Sequence, residues 1–169
     1  MAIRDLGQAD LPAALALNNA NVPAVSELDA PELARLTSLT SVALVADLDD
    51  GSFGGFCMVM PPGVDYASVN YRWFTDHAAG LGHADFAYLD RIAVAPAARR
   101  RGVGRGFYAR LVDALSGRAS VLFCEVNVEP RNDISLAFHE SVGFRSVGEL
   151  DSPDGTKRVS LLALELPDI

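Results

Sequence analysis

Apolar positions along the chain recur with two periods, one typical of strands and one typical of helices. Alternating or continuous apolar runs predict strands over residues 2–6, 41–47, 52–60, 86–94, 121–126, 143–149 and 158–166. Apolar residues at helical spacing predict helices over residues 11–19, 30 onward, 71–77, 103–116 and 133–142. Asp10 and Asn132 stand where helix N-caps are expected, and Asp49-Asp50-Gly51 indicates a hairpin turn.

The order of these elements indicates the fold class. The strand-helix-strand-helix centre predicts neighbouring parallel strands with helices on both faces, and the flanking strands predict antiparallel hairpins. We therefore expect an α/β fold with a mixed, mostly antiparallel sheet. The chain has 169 residues and 50% hydrophobic residues, which is enough for one globular domain spanning residues 1–169.

The junction between the apolar run 86–94 and the helix after it carries the strongest chemical signal. Its sequence, Ala97-Ala98-Arg99-Arg100-Arg101-Gly102-Val103-Gly104, places three arginines and two glycines at a strand-to-helix turn. The first N–H groups of a helix lack internal partners, and arginine forks suit phosphate oxygens. The turn therefore predicts an anion site, although neither a P-loop nor a dinucleotide-binding glycine pattern is present.

Composition narrows the classes of function. The formal net charge of −8 argues against a nucleic-acid partner and is compatible with a cationic substrate. No apolar run reaches the length of a membrane span, and the first residues lack a signal-peptide core. Cys57 and Cys124 lie in apolar runs, so we expect buried thiols in a reducing cytoplasm rather than a disulfide or metal site.

Two motifs together carry a resemblance to a known family. The sequence Arg99-x-x-Gly102-x-Gly104, preceded by Asp90 to Pro96, resembles the acetyl-CoA motif of the GCN5-related N-acetyltransferases (GNAT). Downstream, Asn132 followed by a helix and Gly143-Phe144 resembles the other signature of that superfamily. The resemblance covers the second half of the chain well and the first half by its element order.

The resemblance implies an acetyl-CoA-dependent N-acetyltransferase in which a primary amine attacks the thioester directly. A backbone N–H near Val94 would stabilise the carbonyl oxygen. The residues expected to contact acetyl-CoA are Ile92, Ala93, Val94, Arg99, Arg100, Arg101, Gly102, Val103, Gly104, Arg105, Asn132, Ser135 and Phe138.

His139 occupies the position at which the superfamily commonly has a tyrosine that protonates the departing thiolate. Phe138 and Val142 are expected to form the apolar stripe of this helix, which would turn His139 toward the cleft. Imidazolium can donate a proton near neutral pH, and neutral imidazole can donate a hydrogen bond, so His139 is the candidate acid. The alternative is a half-buried histidine that satisfies a backbone group.

Two carboxylates are candidate general bases. Asp90 shares a strand face with Tyr88 and Ile92, and its alternative role is a structural pair with Arg91 or Arg131. Glu125 lies in an apolar run, where a buried carboxylate needs a partner or a raised pKa.

The amine acceptor, a small molecule or a peptide, is not specified by the sequence. Its candidate contacts are Asn19, Asn21 and Ser26, placed by fold analogy, and Tyr71 and Trp73, which are alternatively packing residues. Other functions remain open at this point: a non-catalytic acyl-CoA-binding module, or another phosphate-binding protein. The last strand, 158–166, could pair with a second copy in a homodimer.

Overall fold

A computed structural model describes residues 1–167, and the final two residues of the predicted domain lie outside this range. It contains seven strands and five α-helices among these residues. In chain order they are β1 (Ala2–Asp5), α1 (Leu11–Ala20), α2 (Ala30–Leu39), β2 (Val42–Asp47), β3 (Phe53–Met60), α3 (Val69–His77), β4 (Phe86–Val94), α4 (Val103–Leu115), β5 (Val121–Glu129), α5 (Asp133–Val142), β6 (Arg145–Asp151) and β7 (Arg158–Glu165).

The hydrogen-bonding order of the strands is β1-β2-β3-β4-β5-β7-β6. The pair β4–β5 is parallel, with Phe86–Tyr88 opposite Val121–Phe123, whereas β1–β2, β2–β3, β5–β7 and β6–β7 are antiparallel. This confirms the expected mixed and mostly antiparallel sheet with parallel central strands.

The contacts divide the chain into two compact units. The first unit comprises Met1–Met60 and Leu89–Ala114, and the second comprises Pro61–Tyr88 and the chain from Leu115 onward. Buried apolar side chains fill each unit, with Leu36, Phe56 and Phe107 in the first and Phe74 and Phe123 in the second.

Aromatic packing organises the second unit. The rings of Phe74 and Phe123 stack with centroids 4.5 Å apart, and Tyr71, Phe74 and Tyr88 form tilted or edge contacts at 5.4 and 5.8 Å. Such arrangements add to the burial of apolar area. They fix α3 on the start of β4 and β5.

Two expectations about local structure are wrong. Asp10 does not cap α1, because a 3-10 turn over Gln8–Asp10 precedes the helix and the Asp10 carboxylate accepts from the Gly7 N–H at 2.8 Å. Strand β7 is not available to a second copy, because β5 and β6 occupy its two edges. The alternating polarity of this strand does not show whether its backbone edges are free.

Candidate active site

The arginine-glycine turn of the first unit has the geometry expected of an anion site. A short 3-10 turn, Pro96–Ala98, follows β4, and Arg99 to Gly102 then lead into α4. The backbone φ is 60° at Arg100 and 83° at Gly102, values that curl the chain and are uncommon for a residue other than glycine. Residues held in this region often belong to binding sites.

Helix α4 begins directly after the turn. The Gly106 N–H donates to the Gly102 carbonyl at 2.9 Å, which places the turn at the N-terminal end of the helix, where anions are favoured. A Cβ atom built on Gly102 would meet no atom within 4 Å. Arg99, Arg100 and Arg101 are exposed. This open and positively charged turn is suited to a phosphate group, and phosphate binding there remains a prediction.

A pair of glycines on β3 brings the backbone close to the end of β4. A Cβ atom on Gly55 would lie 2.5 Å from the Ala93 carbonyl oxygen and 3.2 Å from Val94 Cα. The Ala95 N–H also donates to the Gly54 carbonyl at 2.9 Å. The sequence reasoning missed these glycines, although adjacent glycines within a strand often mark a close backbone approach.

Asp90 is engaged by a buried arginine. Its Oδ2 lies 2.5 Å from Arg91 Nε, and both side chains are 3% exposed. Arg91 Nη1 also donates to Asn18 Oδ1 at 2.9 Å. The ion pair with Arg91 is therefore the alternative role that the sequence offered for Asp90. The role of Asp90 as a general base remains a prediction. Arg91 and Asn18 were missed because sequence spacing does not show that they meet.

The candidate acceptor residues of the first unit hold their own loop together. Asn19 accepts from the Leu28 N–H at 3.1 Å and donates to the Leu28 carbonyl at 2.9 Å, while Asn21 donates to the Leu17 carbonyl at 2.7 Å. Ser26 is exposed, and its carbonyl accepts from Asn18. These bonds order the loop between α1 and α2. Acceptor contacts by these residues remain a prediction.

Glu125 of the second unit lies at the centre of a polar cluster. Both carboxylate oxygens accept from the Tyr88 hydroxyl at 2.9 Å, and Oε1 also accepts from Asn70 Nδ2 at 2.9 Å. The side chain is half-buried on β5. Both of these donors, a phenol hydroxyl and an amide, are uncharged. Sequence reasoning identified Glu125 but missed Tyr88 and Asn70.

Tyr71 and Trp73 both belong to α3. Tyr71 is 4% exposed, and its hydroxyl donates to the Pro61 carbonyl at 2.8 Å and accepts from the Val64 N–H at 3.1 Å. The ring of Trp73 is half-buried and stacks on His77 with centroids 4.2 Å apart. Tyr71 thus packs beneath the loop that follows β3, as its alternative role requires.

Helix α5 begins as predicted but presents a different face. Asn132 caps it by accepting from the Ser135 N–H at 3.1 Å. The expected apolar stripe is wrong: Phe138 and Val142 are half-buried, whereas His139 is 3% exposed. Ser135 and His139 are one turn apart and share the inward face of the helix. The prediction missed this face because it considered apolar residues alone.

His139 has the contacts of a buried, packed side chain. Its Nδ1 lies 2.7 Å from the Ser135 carbonyl oxygen, so this nitrogen carries the proton, and its ring contacts Phe138 and Phe144 edge-on. Burial lowers the pKa of His139 below its usual 6.5 and outweighs the carbonyl contact. These contacts match the alternative role of satisfying a backbone group, and the acid role remains a prediction.

Both cysteines are buried and free, as expected. Burial raises the pKa of Cys57 to about 12. Burial, with the nearby charge of Glu125, also raises the pKa of Cys124 well above its usual range. A nucleophilic cysteine needs accessible thiolate, so these thiols are poorly suited to carrying an acyl group. Among residues 1–167, no cluster of histidine, cysteine and carboxylate side chains could hold a metal ion.

The family model of the acetyltransferase (GNAT) family matches residues 16–144. The chain belongs to this family. None of the curated proteins compared with the chain matches it. None of the helices in the described part of the chain is long and apolar enough to cross a membrane.

Solved structures share the fold of this GNAT acetyltransferase. The ribosomal-protein-S18-alanine N-acetyltransferase of Escherichia coli is 21% identical, with a TM-score of 0.71 and coverage of 99% of this chain and 95% of that chain. Ribosomal-protein-alanine N-acetyltransferase from Brucella melitensis is 24% identical, with a TM-score of 0.71 and coverage of 98% and 100%. The protein yncA of Salmonella typhimurium, solved with its cofactor acetyl-CoA, is 20% identical, with a TM-score of 0.69 and coverage of 100% and 95%.

Membership of the family decides the general activity. The protein is an acetyl-CoA-dependent N-acetyltransferase, and acetyl-CoA serves as the acetyl donor, a substrate rather than a resident cofactor. The family acetylates amine acceptors. The non-catalytic and unrelated phosphate-binding functions considered from the sequence are therefore set aside.

Proposed function

We propose that the protein transfers the acetyl group of acetyl-CoA to a primary α-amine by direct attack, with Glu125 as the general base. The observation that carries the proposal is the Glu125 carboxylate, half-buried and hydrogen-bonded by the Tyr88 hydroxyl and the Asn70 amide. The amine nitrogen attacks the thioester carbon and loses a proton toward the carboxylate. The carbon–sulfur bond then breaks, and coenzyme A leaves as a thiolate.

In the proposed acetyl-CoA site, the arginine-glycine turn binds the phosphate groups of acetyl-CoA, and the end of β4 binds its pantetheine arm and thioester. Arg99, Arg100, Arg101 and Arg105 would supply charge, and the backbone from Gly102 to Gly104 would supply N–H groups. The backbone of Ile92 to Val94 would hold the pantetheine arm, with an N–H near Val94 on the thioester oxygen. The resemblance to the family also implies acetyl-CoA contacts by Asn132, Ser135 and Phe138 of α5, and these remain predictions.

The choice of Glu125 over Asp90 follows from their partners. Asp90 is paired with a buried guanidinium, so protonating it would leave the Arg91 charge without its counterion, which is costly in a buried site. Glu125 accepts hydrogen bonds from the neutral Tyr88 hydroxyl and Asn70 amide, and these two donors stay uncharged when it is protonated. A carboxylate in that setting can accept a proton during turnover at lower cost.

The acceptor class follows from the strength of such a base. At pH 7, a lysine-like amine with a pKa near 10.4 costs roughly 4.6 kcal/mol to deprotonate, whereas an α-amine near 7.7–8.0 costs about 1 kcal/mol. Hydrogen bonds to a carboxylate favour its charged form and make it a weaker base. An α-amine, on a small molecule or at a peptide N-terminus, is therefore the better match. Similarity to ribosomal-protein-alanine N-acetyltransferases supports a peptide N-terminus.

The proposed reaction does not depend on a cysteine or a strong acid. Both thiols are buried with raised pKa values, which argues against an acyl-cysteine route. A thiolate resembling cysteine, with a pKa near 8.5, is a modest base and leaves readily near neutral pH. Buried free thiols also support a reducing, cytoplasmic location.

The test compares Glu125→Gln with the unchanged protein. The probe is a short peptide with a free N-terminal alanine, and the measurement is thiol release from acetyl-CoA, with calorimetric titration of acetyl-CoA alongside. We expect kcat to fall at least about 100-fold, the usual contribution of a general base, while acetyl-CoA affinity stays within about twofold. Full activity of Glu125→Gln would contradict the base role. Thiol release only with lysine-side-chain amines would contradict the acceptor class.

A further inference from the structure

We propose that Tyr88 and Asn70 are positioning residues for Glu125, which together fix its orientation and keep it ionised between turnovers. The inference rests on the proposed role of Glu125 as the base. It goes further by assigning the function of that carboxylate to two side chains on different elements, β4 and α3. Neither is placed in contact with the reacting atoms.

The tyrosine donor is immobilised by its surroundings. Tyr88 is fully buried, and its ring packs against Tyr71 at 5.4 Å and Phe74 at 5.8 Å. Its hydroxyl is 2.9 Å from each oxygen of Glu125. One phenolic proton is thus shared between two acceptor atoms, an arrangement that specifies the rotation of the carboxylate as well as its distance. A ring locked in this way loses little conformational entropy when it forms the bond.

The amide donor is held by the start of α3. Ser68 caps this helix by accepting from the Tyr71 N–H at 3.2 Å, which orders the first turn that carries Asn70. Asn70 Nδ2 then donates to Glu125 Oε1 at 2.9 Å. The two donors therefore approach the carboxylate from different elements, and both donor residues and Glu125 belong to the second unit.

The chemistry of the donors matters as much as their positions. A half-buried carboxylate loses solvation, which favours its neutral form, whereas hydrogen bonds to the ionised form oppose that loss. Hydrogen bonds to charged groups are among the stronger ones in proteins. Because a phenol and an amide are uncharged near neutral pH, they stabilise the anion without cancelling its charge.

The test replaces one hydroxyl at a time. Tyr88→Phe keeps the packed ring and removes the donor, whereas Tyr71→Phe makes the same change in a neighbouring ring whose hydroxyl binds the loop at Pro61 and Val64. Carbon-13 NMR of glutamate carboxyl groups gives the Glu125 titration midpoint, with its signal assigned by its loss in Glu125→Gln. We expect Tyr88→Phe to raise that midpoint by about one pH unit and Tyr71→Phe to leave it in place.

Kinetics supply the second measurement, with acetyl-CoA and the alanine peptide as substrates. Tyr88→Phe should lower kcat about tenfold and leave the KM for acetyl-CoA within about twofold, as expected when the orientation of a base is lost. Asn70→Ala, at a half-buried helix position, should raise the same midpoint and provides the readout if Tyr88→Phe does not fold.

The outcomes separate the two proposals. An unchanged Glu125 midpoint in both Tyr88→Phe and Asn70→Ala overturns the positioning role, whatever the activity of Glu125→Gln. A raised midpoint together with a fully active Glu125→Gln would keep the electrostatic coupling and remove the catalytic assignment. A midpoint that Tyr71→Phe raises equally would attribute the effect to ring packing and likewise overturn the inference.

Discussion

At the scale of single residues, Arg100 combines an exposed positive charge with a strained backbone. Its φ of 60° costs a side chain other than glycine or asparagine roughly 1–2 kcal/mol. We expect Arg100→Asn to bind acetyl-CoA about tenfold more weakly, because one charged phosphate contact is lost, without a lower melting temperature. Calorimetric titration and thermal unfolding measure the two effects.

Arg110→Asn is the matched control for this residue, because Arg110 is exposed on α4, the helix that follows the turn, but lies beyond its first turns. It should leave acetyl-CoA affinity within about twofold, since screened charges act over about 8–10 Å. Equal weakening by both variants would attribute the effect to overall charge rather than to the turn.

At the scale of elements, the approach of β3 to β4 depends on Gly55. A methyl group there would lie 2.5 Å from the Ala93 carbonyl oxygen, and backbone atoms cannot move aside as a flexible side chain can. We expect Gly55→Ala to lower the free energy of unfolding by about 3 kcal/mol through overpacking and strain. Denaturant unfolding provides the measurement.

Gly63→Ala separates strain from collision. Gly63 also has a positive φ, 82°, but a Cβ atom there meets nothing within 4 Å. Gly63→Ala should lower the free energy of unfolding by only about 1 kcal/mol, because the alanine must adopt an unfavourable φ. If Gly55→Ala and Gly63→Ala lowered the free energy of unfolding equally, the close approach to β4 would not be the reason that Gly55 stabilises the fold.

At the scale of the whole molecule, His139 links stability to pH. Its pKa is below the ordinary value of 6.5 because the folded protein buries the ring. The unfolded chain therefore binds this proton more readily than the folded chain. The resulting stability is fully present above about pH 6.5 and is lost as the pH falls through the folded-state pKa.

The prediction uses His139→Gln, which cannot titrate. Between pH 8 and pH 5, its melting temperature should fall less than that of the unchanged protein. Normalising each protein to its value at pH 8, where histidine is neutral, removes the difference in packing. Parallel curves would mean that His139 does not contribute to acid destabilisation.

Much of the fold could be predicted because its causes are local. The β2–β3 hairpin, strand β4, the turn after it and α5 all follow from apolar periodicity, glycine and cap residues close together in sequence. Asn132 caps α5 as its residue type indicates, whereas Asp10 does not cap α1. The difference arises because Gly7 and Arg4 compete for the Asp10 carboxylate, and residue type does not reveal such competition.

The sequence by itself determined the arginine-glycine turn, the order of strands and helices, and the family, because each depends on short-range patterns of residue type. Only the tertiary structure decided which polar groups meet. Glu125 is 37 residues from Tyr88 and 55 from Asn70, and Arg91 is 73 from Asn18. Hydrogen bonds between distant residues depend on strand register and helix placement, which local periodicity does not encode. For the same reason, His139 was expected to face a cleft and is instead a buried side chain of its helix.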